Sequence, residues 1–546
     1  MLSDLLDAAP GAGYHLLSIT ASLLALSVAT VVIYRLYFSP LASIPGPQIA
    51  AATSLFHFYH DVIRDGQYIW VVRQMHEKYG PVVRIRPDAI HVNDPQAIDA
   101  VFGTVGSRRN KAQGTLNGYM AYGSVLGTEG HDLHRRRRAA LSPFFSKQSV
   151  RKLEGSLKGI MRKVARRLRE RAAQGGIVNM NVLYASMTSD IVTGYALGES
   201  WGYLDMPDLN ERAYRVISAS CSTFHLNTFV PVLGVIVRRF PRSIIMRLID
   251  ITFFEKMVLN VSQRLEIIRR SIVEQGSPAP GSAVDVSDNI FYKMITSDQL
   301  PAAEKTTKRL IDEARIVIAA GTDTTAQALK GITYELLANP AVLAKLKKEL
   351  EHAIPLPHEG EDQELPSVAD LEELPYLSAV IEEGLRLYAG FSYRQERVSP
   401  DEDTVIHTTL DGKPVSYIIP AGTSVSMTAP LLHRHEDLYG PNPDVFDPER
   451  YLNNKQLSKY LITFSRGPRQ CVGINLAYAE MYLALSTIFR CFDLYDGTGT
   501  QRVPTMELYE TSREDVAMVR DRVAPFVKTG SLGVRVKLRL PGTNSE

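Results

Sequence analysis

Of the three cysteines in this 546-residue chain, Cys471 stands in a setting that could do chemistry. It lies in Phe464-Ser465-Arg466-Gly467-Pro468-Arg469-Gln470-Cys471-Val472-Gly473, just ahead of an apolar run from Ile474 to Ile488 that reads as a helix. Gly467-Pro468 predicts a tight turn, and Gly473 predicts a close approach of backbone to the sulfur. A thiol placed there faces unpaired N–H groups and the positive end of the helix dipole, and both favour thiolate, the metal-binding form. A lone Cys excludes the common zinc sites, which need several ligands at short spacing, and Cys491 is too distant for a C-x-x-C pair. Arg469 adds a cation suited to a carboxylate. The ordinary fate of a single cysteine is a buried, inert thiol, so the neighbouring residues must carry the functional reading.

A second group lies in Ala319-Ala320-Gly321-Thr322-Asp323-Thr324-Thr325, at the centre of a helix predicted over Ala302 to Asn339. One glycine and three β-branched threonines are poor helix formers, so a kink or bulge is expected there. An adjacent acid and alcohol can relay protons from water into a dry pocket. A third group, Glu383 and Arg386, stands three apart on a helix predicted from Pro375 to Tyr388. The pair falls opposite the apolar stripe, and periodicity alone predicts an exposed ion pair worth under about 1 kcal/mol.

The F-x-x-G-x-R-x-C-x-G pattern from Phe464 to Gly473 closely resembles the haem-binding loop of cytochromes P-450. The resemblance implies that Cys471 is the axial ligand of a haem b iron, with Phe464 and Arg469 against the same cofactor. The Gly321 segment is similar to the family's A-G-x-D/E-T oxygen-binding motif, which makes Asp323 and Thr324 the proton-relay pair. The family's W-x-x-x-R pattern falls on His134 and Arg138, with His in place of Trp and the arginine on a haem propionate. Arg397 stands where members carry another propionate-binding arginine. Glu383-x-x-Arg386 resembles the family's buried pair, joined structurally by Arg450 of Pro448-Glu449-Arg450. The wording of several segments is similar to fungal trichodiene-oxygenase-type members of secondary metabolism.

The implied activity is that of a monooxygenase inserting one atom of O2 into a small apolar metabolite. Electrons come from NADPH through a cytochrome P-450 reductase, because the chain shows no Gly-rich flavin or nucleotide fingerprint. A haem-thiolate isomerase or dehydratase independent of O2 is the competing enzymatic reading, and Asp323-Thr324 argues against it. A non-catalytic haem protein is the third.

The elements that must position these groups fit a mainly α fold with small β-sheets (α+β), preceded by a transmembrane helix. Residues Leu16 to Tyr34 are uncharged and long enough to span a bilayer, and Arg35 is the first basic residue, which predicts a cytosolic catalytic domain. The expected organisation is a luminal N-terminus over 1–15, an anchor over 16–35, a proline-rich hinge over 36–50 and a catalytic domain over 51–546. The resemblance places it as a single-pass protein of the endoplasmic reticulum membrane. Val82–Ile85 and Ala89–Val92 predict a hairpin, Val101 to Gly127 a long loop, and Gly530 to Leu540 a final hairpin. The four consecutive arginines 135–138 are placed on a helix ending before Pro143. A net charge of +2, with no aromatics interleaved among basic runs, gives no case for nucleic acid. Three cysteines cannot build a disulfide framework.

Overall fold

The computed structural model describes residues 10–104, 106–232, 252–275, 289–355 and 364–541. Helices dominate and the sheets are small, as expected for this α+β class. The long helix Thr307–Ala338 is packed against Met180–Leu197, Pro375–Leu387 and Ile474–Cys491. Its Leu310, Ala314, Ile318, Leu329, Ile332 and Leu336 are buried in the largest apolar cluster. The helix starts later than expected. Ala302–Lys305 form a separate 3-10 turn, and extended Thr306 caps the helix by accepting from the Arg309 N–H.

No bulge interrupts Ala319–Thr325, because the helix is α throughout its 32 residues. Tertiary packing overrides weak propensity here. Val192 closes onto Gly321 so tightly that a Cβ would lie 2.8 Å from its methyl carbon, and Thr188 Oγ1 donates to the Thr322 carbonyl at 2.7 Å.

The predicted hairpin forms from Val82–Arg86 and Ala89–Val92. Its sheet continues through Ser424–Ser426 to Arg397–Val398, which fixes Arg397 from a distant part of the chain. The expected Gly530–Leu540 hairpin is corrected. Arg535–Arg539 instead lies between Ile177–Asn179 and Thr505–Leu508, so its alternation reflects pairing with two distant strands. The C-terminal hairpin is Arg520–Arg522 with Ala524–Phe526. The expected loop over Val101 to Gly127 contains a helix, Gln113–Tyr119, despite its glycines. That helix is stabilised by packing on Phe224–Phe229, where the Phe224 ring fills the space a side chain at 118 would need.

At the N-terminus, helix Pro10–Ile33 runs into a π-helical turn, Tyr34–Phe38. Residues His15–Phe38 are long and apolar enough to cross a membrane, and none of that window is buried against the rest of the protein. The following segment is tied down: Arg35 Nη1 donates to Ala52 O, and Arg84 Nη1 donates to Arg35 O, both at 2.8 Å.

Candidate functional site

The Cys471 loop is built by its turn. Gly467 has φ +65°, and a Cβ there would come within 2.4 Å of the Phe102 carbonyl, so only glycine fits. Gly467–Arg469 make a 3-10 turn, and the Cys471 N–H closes the loop on Phe464 O at 2.8 Å. The Phe464 ring packs on Tyr478 with centroids 5.5 Å apart. Cys471 is enclosed by protein yet keeps accessible surface, two residues before helix Ile474–Cys491. Burial raises its thiol above the ordinary range, opposed by the Gly473 N–H and the charge of Arg138. The Gly473 N–H and the Arg138 charge act in the direction of thiolate, and a bound metal would add to them. Gly473 is also not demanded by contact with the sulfur, because an added Cβ would sit 3.9 Å from Sγ.

Four cations surround this loop from separate elements. Arg469 is buried and donates to the carbonyls of Arg109, Thr128 and Glu129. Arg138, on helix His131–Leu141, donates to Gln470 O. Arg397 donates to Glu396 O at 2.8 Å and Ser465 Oγ at 2.6 Å, and its buried Nε has no partner. Lys111 is buried and donates to Leu126 O at 2.9 Å. None of these bonds reaches a carboxylate. Burial and mutual repulsion lower Arg469 to about 9, and burial first of all lowers Arg397 to about 10. His134 is buried among the same charges and is pushed down to about 2, so it is neutral. Three buried cations and the half-buried Arg138, none bonded to a carboxylate and one with an unpartnered N–H, fit the carboxylates of a haem.

Of the four arginines 135–138, Arg135 and Arg136 are exposed. Arg137 turns inward to Glu304, its Nε 2.7 Å from Oε2.

On the long helix, Thr324 Oγ1 donates to Ala320 O at 2.9 Å, which leaves its oxygen free to accept. The 389–392 segment crosses the helix here, with Gly390 so close that a Cβ would be 2.6 Å from Thr324 O. Asp323 is buried and accepts from Gln327 Nε2 at 3.3 Å. Burial raises its pKa, and the charge of Lys330 draws it down. A further residue, outside the motifs, is Glu480, which is buried on helix Ile474–Cys491, bonds to Thr325 and is pushed up to about 8 by burial. It links the helix that follows Cys471 to the one bearing Asp323 and Thr324. A single acid in the otherwise uncharged stretch Ile474 to Phe489 was the signal for it.

The exposed ion pair expected from periodicity is overturned, because Glu383 and Arg386 are both fully buried. Arg386 grips Glu383 with Nε and Nη2, each at 2.7 Å, and Arg450 Nε lies 3.6 Å from Glu383 Oε1. The polar face of the helix is covered by the chain at His433, Pro443 and Val445, whose carbonyls take the remaining Arg386 donors.

A mainly helical fold with one thiol loop, cations around it that bond to no carboxylate, and an acid–alcohol helix packed on the helix that follows the thiol is the arrangement expected of the haem-thiolate class. The cytochrome P450 family model matches residues 46–515. The chain is 38% identical over 506 residues to cytochrome P450 monooxygenase tpcC of Cochliobolus heterostrophus, covering 93% of this chain and 94% of that one. It is 36% identical over 513 residues to cytochrome P450 monooxygenase astB of Talaromyces wortmannii, covering 92% and 94%. To cytochrome P450 monooxygenase TRI4 of Fusarium sporotrichioides it is 34% identical over 502 residues, covering 91% and 89%. The chain belongs to the cytochrome P450 family and is a monooxygenase, with haem iron as the family's cofactor.

Proposed function

We propose that this monooxygenase binds haem b through Cys471, with Arg138, Arg397 and Arg469 holding its propionates, neutral His134 beside them and Phe464 packed against the loop. The observation that carries this is the set of buried and half-buried cations around Cys471 whose bonds all go to carbonyls or a hydroxyl. Bound haem supplies dioxygen activation, with the thiolate donating electron density to the iron. Thr324 Oγ1, whose oxygen is free to accept, passes protons toward the pocket by turning its hydroxyl away from Ala320 O, and the Asp323 carboxyl, its pKa raised by burial, replenishes them. Glu383, Arg386 and Arg450 hold the frame behind the loop.

Electrons come from NADPH through a separate cytochrome P-450 reductase, and exposed Arg135 and Arg136 add positive potential for an acidic donor. Residues 16–35, within the apolar helical stretch at the N-terminus, anchor residues 51–546 to the cytosolic face of the endoplasmic reticulum, with 1–15 luminal and 36–50 as the hinge. The substrate is a small apolar secondary metabolite of terpenoid or polyketide type, a reading supported by the fungal source of the relatives. Reconstitution with reductase, NADPH and O2 tests this. Thr324→Ala is expected to keep consuming NADPH while product falls several-fold, and unchanged coupling would reject the relay.

A further inference from the structure

We propose that Lys330 is a positioning residue for the proton relay, its ammonium holding the Asp323 carboxylate that remains each time that acid gives up a proton. The proposal rests on the relay reading of Asp323 and Thr324 above and concerns a residue outside the motif that suggested it.

Asp323, Gln327 and Lys330 stand at i, i+4 and i+7 on the long helix Thr307–Ala338, which puts them on one face, and all three are buried. Seven residues rise about 10 Å along the axis, and helical side chains lean toward the N-terminus, so the long stem of a lysine leads back along that face toward the acid. Gln327 stands between them and donates its Nε2 to Asp323 Oδ1 at 3.3 Å. The Lys330 ammonium makes no hydrogen bond among the described residues. A buried ammonium with three unspent donors is costly unless an anion answers it.

Among the described residues, Lys330 is the one charge acting on Asp323, and Asp323 the one acting on Lys330. The other titratable groups near them are neutral or matched elsewhere. Tyr214 and Cys221 face Asp323 from the helix Glu211–Cys221, and burial together with the Asp323 charge raises both, which leaves them uncharged. Tyr334, one turn beyond Lys330, is raised by burial. Glu480 bonds to Thr325, Glu383 is held by Arg386, Glu507 is paired with Arg539, and Glu335 with Arg513.

Burial alone would keep the proton on Asp323, and an acid that does not release its proton cannot relay it. The Lys330 charge opposes burial and brings the carboxyl toward the acidity at which it both gives a proton to Thr324 and takes one back from water. Burial lowers Lys330 itself to about 8, so it carries its charge below that pH and loses it above.

The test titrates the Asp323 carboxyl of the full-length holoprotein by pH-difference infrared spectroscopy, the band being the one absent from Asp323→Asn. In Lys330→Met the midpoint is expected to rise by about one pH unit or more, an acid about tenfold weaker, since a nearby opposite charge is lost. Lys330→Arg restores the midpoint. In the system reconstituted with reductase, Lys330→Met releases more hydrogen peroxide per NADPH than the unaltered protein, whereas adding it to Asp323→Asn changes nothing further. If Lys330→Met does not accumulate as folded protein, Lys330→Gln takes its place. An unchanged or lower midpoint, or an effect on peroxide release that persists in the Asp323→Asn background, would overturn the proposal. Unchanged coupling in Thr324→Ala would instead reject the relay and leave the titration of Asp323 as it stands, which separates the two failures.

Discussion

Replacing Arg386 by Met removes all five guanidinium donors from a site that uses each of them. Nε and Nη2 hold Glu383, Nη2 also reaches Val445 O at 3.1 Å, and Nη1 serves His433 O and Pro443 O. After the change, Glu383 keeps only the Asp447 N–H at 2.8 Å and Arg450 at 3.6 Å, with no exposure to water. Breaking a buried pair from one side costs about 3–5 kcal/mol. Arg450 remains as partial compensation, which puts the expected loss near the lower end, about 3 kcal/mol. Arg386→Lys retains the charge but offers three donors for five acceptors, and stranding buried acceptors costs about 1–3 kcal/mol. Removing both charges, in Glu383→Leu with Arg386→Met, is expected to cost less than the sum of the single changes. Urea denaturation of the holoprotein followed by circular dichroism measures all three. A loss below about 1 kcal/mol for Arg386→Met would refute the reasoning that this pair is a buried clamp.

Glu480 gives a pH prediction. Its folded pKa of about 8 lies above the ordinary 4.5, so the folded state holds the proton more tightly than the unfolded chain. Stability is then lost as pH rises from about 4.5 to about 8, and Glu480→Gln is expected to gain on the order of a few kcal/mol at pH 9 relative to pH 4.5. Thermal melts of both proteins across that range check it, and parallel pH profiles would sink it. Gly467→Ala forces a side chain into left-handed backbone against the Phe102 carbonyl, so haem content should fall strongly while Ala at solvent-facing Gly412 leaves it unchanged, as read by the pyridine haemochrome assay.

The Cys471 loop was legible because its chemistry is local. Turn, thiol and helix start follow one another within a few residues, and the structure keeps them in that order. The long helix was legible in its existence but not in its unbroken centre, because the residue that packs onto Gly321 there is Val192, far away in sequence. Glu383 and Arg386 show the same limit: periodicity assigns a face, but the segments at His433 and Val445 that bury that face contact it only in three dimensions. Lys111 carried no signal in one dimension, since its neighbours Arg397 and Arg469 arrive from a sheet and a loop hundreds of residues later. The C-terminal strand was seen as alternation, while its partners Ile177–Asn179 and Thr505–Leu508 could not be.

The central claim is that the sulfur of Cys471 binds the haem iron, and the reduced, carbon monoxide-bound absorbance spectrum tests it most directly. Unaltered protein is expected to show the red-shifted band of thiolate ligation, and Cys471→Ser to lose that band even where haem is retained. A Cys471→Ser protein with the same maximum as the unaltered enzyme would contradict the account.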